Sequence, residues 1–450
     1  MGASVILVEH RKMGGDCLNN GCVPSKALLA AAKIGHQIEE SAKFGWLPNK
    51  AKVDFKKVHK HVQGVIKAIA PHDSVERFES LGVKVILEEG HFRDDKTLET
   101  TSYTIQAKRF IIATGSSPFI PPIEGLSSIA YYTNETIFDL RELPKHFVVI
   151  GGGPIGIEIA QAFHRLGSQV TVLEAFTALP KDDPEITCKL KEILIREGIE
   201  LQEGIKILSL KQKKPETIEC YYSDSQNQTN RILASHVFVA TGRMPNIHSL
   251  NLAVAKIKSS SKGIEVDAKL RTSNARVYAI GDCTGGYQFT HVAGYHAGIA
   301  IRNTIFKMGA RIQTNAIPWV TYTDPELAHV GFTELQLQQQ KIPHKVLRLS
   351  FQENDRAQTE MKTEGCIKAL VSSKGNILGV TILGMNAGEL IYPWVMAIQN
   401  KLKISAIANT IAPYPTLSDI NKQIGGAYYK DRIFSLPMKK FVKFMLGITR

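Results

Sequence analysis

The sequence holds 450 residues, 44% apolar and 22% charged, with six cysteines and a net charge of +13. That length and apolar share predict several domains with buried cores and exclude a disordered chain. Six cysteines in so long a chain exclude a secreted disulfide framework and predict a cytoplasmic setting, and the positive charge suits anionic cofactors or a membrane surface.

No apolar run reaches bilayer length, no charged-then-apolar leader opens the chain, and no nucleic-acid-binding motif occurs. The first element, GASVILVEH (2–10), reads as a buried parallel strand ending in Glu9. An acid at the end of the second strand of a dinucleotide fold holds the ribose hydroxyls of an adenine nucleotide. Taken alone, Glu9 reads equally as a surface acid. The first strand and glycine-rich turn of such a unit, about 30 residues, are expected upstream and are missing from the sequence. Next comes GGDCLNNGCVPSK (14–26), which places Cys17 and Cys22 five apart in a glycine-framed turn before an apolar, helix-like stretch.

FIIATGSSP (110–118) is an apolar strand running into Ala-Thr-Gly, with Thr114, Gly115 and Ser116 at its end. A complete nucleotide unit follows in KHFVVIGGGPIGIEIAQAFHRLGSQVTVLEA (145–175). HFVVI is the strand, Gly151, Gly153 and Gly156 form G-x-G-x-x-G, and a helix runs to Leu166. Gly167 breaks that helix, and QVTVLE is the second strand, ending in Glu174. A pyrophosphate would sit on the helix N-terminus, where free N–H groups and the dipole favour negative charge. Glu174 would accept from a ribose 2′-hydroxyl and repel a 2′-phosphate, which favours NADH over NADPH. VFVATGRMPN (237–246) repeats the Ala-Thr-Gly pattern at Gly242, and RVYAIGD (276–282) ends in Asp282.

HKVLRLSF and CIKALVS read as strands, with helices near 386–409 and 416–429. The tail SLPMKKFVKFMLGITR sets Phe441, Val442, Phe444, Met445 and Ile448 apart from Lys439, Lys440 and Lys443 once Pro437 starts a helix. Such a helix docks on its own domain or dimer partner, or lies on an anionic membrane.

The cysteine pair, both Ala-Thr-Gly segments, the nucleotide fingerprint, YAIGDC, TDPELAHVGFTE and PYPTLSD together resemble the FAD-dependent pyridine nucleotide–disulfide oxidoreductases, in the mercuric reductase-like and dihydrolipoamide dehydrogenase-like branches. The resemblance implies an α/β fold with two Rossmann-like dinucleotide-binding domains and a C-terminal α+β dimerisation domain. Residues 1–123 and 267–312 would form the FAD domain, 124–266 the NAD(P) domain, and 313–450 the dimerisation domain of a homodimer.

It also implies roles. Hydride would pass from the nicotinamide to FAD and then open a Cys17–Cys22 disulfide. Five helical residues, at about 1.5 Å each, span too far for that bond, so Cys17 is expected on a bent approach and Cys22 in the first helical turn. The helix N-terminus there favours a thiolate. Read without the resemblance, the pair could instead be a structural disulfide or half of a metal site. Cys22 would face the flavin and Cys17 attack the substrate, and Lys26 would reach the flavin and pair with Glu158. Glu9, Thr114, Gly115, Ser116, Asp282 and His291 are the further FAD candidates. Gly151, Gly153, Gly156, Glu158, Glu174 and Gly242 are those for NADH. No metal site is expected, and Cys188, Cys220, Cys283 and Cys366 read as buried or incidental.

The lipoamide and glutathione enzymes of the family carry a His and a Glu five apart as acid–base catalysts. IAPYPTLSD (411–419) has Tyr414 and Asp419 at those places. A phenol, with its ordinary pKa near 10, is a poor base but a good donor. The expected activity is therefore electron transfer to an unidentified thiol, disulfide or metal acceptor. The alternatives are a diaphorase that bypasses the cysteines, or a remnant unable to hold FAD.

Overall fold

The computed structural model describes residues 2–47 and 52–448. They form two compact units, Met1–Ala178 with Gly198–Ile312, and Leu179–Glu197 with Gln313–Arg450.

In the first unit the segment predicted at 145–175 folds as strand His146–Ile150, helix Pro154–Arg165 and strand Gln169–Leu173. Phe147, Val148 and Val149 are fully buried, as a parallel strand covered on both faces requires. The sheet runs Glu200–Gln202, Gln169–Leu173, His146–Ile150, His236–Val239, with every neighbouring pair parallel. An antiparallel meander of Lys206–Lys214, Thr217–Ser223 and Thr229–Ala234 packs Leu210, Ile218 and Cys220 into the same core as Val148 and Ile150.

GASVILVEH supplies the strand Val5–Val8, paired in parallel with Val83–Ile86. Its expected burial is corrected: Val5 is 46% and Ile6 43% exposed. Among the described residues this strand has one sheet neighbour, so the rest of its apolar surface is not covered by a second. Phe110–Ile112 pairs in parallel with Val277–Ala279 and also stands as half of a two-stranded sheet. Beyond it, Ser116–Pro118 pairs antiparallel with Arg243–Pro245. The two Ala-Thr-Gly stretches, more than a hundred residues apart in sequence, therefore meet in one ladder. Helix Cys22–Glu40 packs on Phe55–Ile69 and Pro154–Arg165, and its buried face is the small and apolar set Ala27, Leu28 and Ala32.

The second unit is built on an antiparallel five-stranded sheet ordered Pro318–Thr321, Glu326–Gly331, Ile377–Gly384, Cys366–Val371, Lys345–Ser350. Phe351, Ile382, Trp394, Ile420 and Ile424 fill its core. The single helix expected near 386–409 is corrected to three, Ala387–Leu390, Tyr392–Gln399 and Ile404–Ala408. Pro393 has no N–H to continue the first, and Lys401 at φ 54 ends the second. The helix expected at 416–429 spans Asp419–Ala427. The segment Leu179–Glu197 joins this unit through Lys368, only 2% exposed. Its ammonium lies 2.9 Å from Asp183, 2.8 Å from Glu185 and 2.6 Å from Glu334. A buried cation persists only with partners of this kind.

The tail helix spans Leu436–Ile448. Docking on its own domain, one of the three outcomes expected for it, is corrected, since Phe441, Val442 and Phe444 are exposed. Among the described residues no helix is long and apolar enough to cross a membrane.

Candidate redox site

The site begins with backbone that only glycine adopts easily. Gly14 and Gly15 have φ 85 and 59, and a Cβ on Gly14 would stand 2.3 Å from the Leu18 side chain. They lead into one helical turn, Gly15–Asn19, which carries Cys17. Asn20 ends that turn, Gly21 caps the next helix, and Cys22 is the first residue of that helix, Cys22–Glu40, with Pro24 tolerated just inside it. The bent approach expected for Cys17 is thus a short helix of its own.

All six cysteines are free thiols in this structure. Cys17 and Cys22 share a hydrogen bond that drives their titrations apart. The Cys22 thiol is brought down from 9.0 to about 6, chiefly by the hydrogen bond from Cys17. Burial opposes this, while the Thr290 hydroxyl and the Lys26 ammonium add to it. Cys17 is pushed up by the same shared bond and by burial. The Thr290 hydroxyl lies 3.3 Å from the Cys22 sulfur. Sequence reasoning passed over Thr290 for its neighbour His291. That ring is exposed and stacks on Phe289 with centroids 5.3 Å apart.

Lys26 lies one turn past Cys22, and its Nζ donates to Glu158 Oε2 at 2.8 Å. Glu158 is nearly fully buried on helix Pro154–Arg165, so this predicted pair joins the redox helix to the nucleotide helix.

A second polar network runs behind the cysteines. Ser116 Oγ donates to Asp282 Oδ2 at 2.7 Å, and Arg243 Nε donates to Ser116 Oγ at 2.7 Å. Arg243 Nη2 also reaches the Ser116 carbonyl at 2.7 Å and Asp16 Oδ2 at 3.0 Å. Asn134 Nδ2 completes it by donating to Asp16 Oδ1 at 3.1 Å. Burial pushes the Asp16 carboxyl up, and Arg243 pulls against that. Thr114 Oγ1 donates to the Asn246 carbonyl at 2.6 Å, and Asn246 Nδ2 returns a bond to the Thr114 carbonyl at 3.1 Å. Asp16, Asn134, Arg243 and Asn246 were missed from sequence. Only the "R" and "N" of VFVATGRMPN, beside the chosen Gly242, could have signalled two of them.

The residues present fit a flavin. Gly115, at φ 68, leaves open space where a Cβ would stand, and Lys26 offers a cation beside the Cys22 sulfur. Glu9, at the end of strand Val5–Val8, accepts from the Arg11 N–H at 2.8 Å. A pyridine dinucleotide fits the other loop. Gly153 has nothing within 4 Å of a Cβ at the helix start, whereas a Cβ on Gly156 would stand 2.0 Å from the Gly151 carbonyl oxygen. Glu174 Oε2 accepts from the Gly152 N–H at 2.6 Å and Oε1 from the Phe176 N–H at 2.9 Å, which fixes its carboxylate against the loop. Gly242, at φ 127, accepts from the Phe119 N–H.

In the second unit Tyr414 is exposed and its hydroxyl donates to Asp355 Oδ2 at 3.0 Å. That bond holds the phenol above its ordinary 10. Asp419 accepts from Gln423 Nε2 at 2.7 Å, so the structure gives each a different partner.

Residues 1–297 match the family model described as pyridine nucleotide-disulphide oxidoreductase, and residues 317–424 match its dimerisation domain. The chain is 34% identical to a mercuric reductase of Staphylococcus aureus over 433 residues, 96% of this chain and 79% of that protein. It is 32% identical to a dihydrolipoyl dehydrogenase of Thermus scotoductus, over 97% and 94% of the two chains. Among solved structures it is similar to LpdA of Mycobacterium tuberculosis, with 25% identity, a TM-score of 0.86 and 95% and 94% of the two chains covered. It is also similar to a Cu(II) complex of the HOCl-induced flavoprotein disulfide reductase RclA of Escherichia coli, with 26% identity, a TM-score of 0.83 and 94% of each chain covered.

Proposed function

Because this chain belongs to the pyridine nucleotide-disulphide oxidoreductase family, we propose that it spends NADH to keep Cys17 and Cys22 reduced and passes the electrons to a disulfide or a thiophilic metal ion. The observation that carries this reading is the sulfur pair at the start of a helix, with Cys22 poised as a thiolate beside Thr290 and Lys26. FAD, when bound, supplies the two-electron relay between the pyridine nucleotide and the sulfurs.

The chain's own residues do the rest. Cys17 passes its proton to the Cys22 sulfur along the hydrogen bond they share and attacks a substrate disulfide as a thiolate, forming a mixed disulfide. The departing thiolate takes that proton from Cys22 and leaves as one thiol. The Cys22 thiolate then attacks the Cys17 sulfur, releases the second thiol and closes the internal disulfide. One NADH and one proton restore the dithiol, so each turnover consumes one substrate disulfide and yields two thiols. A soft metal ion would be held by the same two sulfurs. Lys26, fixed by Glu158, holds positive charge beside the Cys22 thiolate. Glu9, Thr114, Gly115, Ser116, Asp282 and His291 are assigned to FAD.

Gly151, Gly153 and Gly156 seat the NADH diphosphate, with Gly242 in the facing loop. The fixed carboxylate of Glu174 selects NADH over NADPH by accepting from a 2′-hydroxyl and repelling a 2′-phosphate. Tyr414 keeps its proton and acts as a donor rather than a base. With Asp419 it serves the acceptor end of the site from the second subunit of a homodimer, which the dimerisation-domain match supports. Peripheral membrane contact is assigned to the tail helix, apart from this site.

The test uses the full chain loaded with FAD, with NADH oxidation followed against glutathione disulfide, lipoamide, Cu(II), Hg(II) and menadione. Cys17→Ser should cut reduction of the favoured disulfide or metal by about 100-fold or more while leaving menadione reduction intact. Undiminished disulfide and metal reduction by Cys17→Ser would overturn the proposal in favour of direct transfer that bypasses the cysteines.

A further inference from the structure

The matched dimerisation domain ends at residue 424, and the tail beyond it has a chemistry of its own. From Arg432 to Arg450 the sequence contains no Asp or Glu, and it carries Arg432, Lys439, Lys440, Lys443 and Arg450. In helix Leu436–Ile448 a turn of about 100° per residue gathers the three lysines on one side. Met438, Phe441, Val442 and Phe444 fall on the other.

That apolar side is not packed away. Phe441 is 56% exposed, Val442 47% and Phe444 64%. A contiguous apolar stripe rimmed by cations marks a contact surface rather than ordinary solvent-facing helix.

We propose that this helix lies in the interface of an anionic lipid bilayer. Its phenylalanines would enter the acyl boundary while its lysines meet acidic headgroups. The geometry suits that plane, because the apolar and cationic arcs occupy opposite sides of one short helix. Charge selects the occupant. A second copy of the same segment, with no Asp or Glu from Arg432 to Arg450, offers nothing to pair Lys439, Lys440 and Lys443. A surface of acidic lipid supplies that missing charge, and the chain's net charge of +13 adds to the attraction. The proposal does not depend on the redox reading, and each can fail without the other.

The test is co-sedimentation of the full-length, FAD-loaded protein with vesicles. One set contains equal parts phosphatidylglycerol and phosphatidylcholine, the other phosphatidylcholine alone. Binding should be about tenfold stronger to the anionic vesicles and should weaken as salt rises. Phe441→Asp with Phe444→Asp should reduce it to background without changing NADH oxidation or the oligomeric state. Lys439→Glu with Lys443→Glu should remove the preference for phosphatidylglycerol. Equal binding by wild type and the double aspartate variant would overturn the proposal. So would a change in oligomeric state on size exclusion in the aspartate variant, which would show the face covered by a second copy.

Discussion

Two stretches of the first unit repeat one order of parts, strand, glycine turn and helix, yet they are held in different ways. In 146–173 the strand is sealed and the turn is fixed from within. Val148 is fully buried, and the Gly156 Cα sits against the Gly151 carbonyl. In 5–40 the strand is half open and the turn is fixed from without. Thr290 reaches Cys22, Glu158 holds Lys26, and Arg243 with Asn134 holds Asp16. A loop that binds a diphosphate needs little more than backbone N–H groups in the right places, which a local sequence can supply. A sulfur tuned for redox chemistry needs charges and donors at set distances, and here the local Cys17 and Lys26 are joined by Thr290, Glu158, Arg243 and Asn134, each more than a hundred positions from the group it holds.

The sharpest way to break this contrast is at the self-contained turn. A side chain on Gly156 would meet the Gly151 carbonyl oxygen at 2.0 Å and Val149 Cγ1 at 3.3 Å, both parts of the same loop and strand. Gly156→Val should lose NADH binding by more than about 100-fold and lower stability by about 1–3 kcal/mol, the usual cost of overpacking. Gly153→Ala, with open space at that position, should leave thermal stability unchanged. NADH KM and the melting temperature read both effects. A wild-type KM in Gly156→Val would mean that the close approach in the turn is not what binds the nucleotide. Alkylation of Cys22 should be unaffected by Gly153→Ala, which meets nothing within 4 Å.

The externally held turn is probed by pH. With Cys22 lowered from 9.0 to about 6, the thiolate dominates at pH 7 and is lost as pH falls through about 6. The rate of iodoacetamide modification of the reduced enzyme, resolved for Cys22 by mass spectrometry, should therefore rise with a midpoint near that value rather than near 9.0. Lys26→Met removes a cation that favours the thiolate, so the midpoint should move up. A midpoint that stays in place would separate Lys26 from the sulfur. Because Lys26→Met also leaves the buried Glu158 without its ammonium, Lys26→Arg serves as control and should restore the low midpoint.

The same contrast explains what could be read in advance. Residues 145–175 were legible to within a residue or two, because glycine spacing and a β-branched run are consecutive. The Lys26–Glu158 pair was legible only through family resemblance, since nothing in 14–26 points to residue 158. Thr290 and Arg243 were not legible at all. A threonine beside a histidine and an arginine after a glycine carry no signal until the ladder of Ser116–Pro118 with Arg243–Pro245 brings the two Ala-Thr-Gly stretches together. The burial of Val5 and Ile6 was misread for a related reason. An apolar run reports a strand, but whether its faces are covered depends on neighbours the run does not contain. The break at Lys401 was missed because a left-handed lysine has no sequence signature.

The smallest expected effect tests whether the outer network tunes the sulfur or merely braces it. Asp16 immediately precedes Cys17, and its carboxylate opposes the Cys22 thiolate while Arg243 and Asn134 hold it in place. Asp16→Asn keeps the shape and most of the hydrogen bonding but removes the charge, so the Cys22 midpoint should fall, by less than Lys26→Met raises it. Because Asp16 and Lys26 act on one sulfur through opposite charges, the double variant should fall between the two single ones if the effects add. If Asp16→Asn instead raised the midpoint, the dominant role of Asp16 would be mechanical. Its loss would loosen the turn and weaken the bond from Cys17 that lowers Cys22 most. NADH KM should stay at its wild-type value in Asp16→Asn, since the turn of 146–173 takes no contact from Asp16, whereas the two variants that carry Lys26→Met also disturb Glu158 on the nucleotide helix.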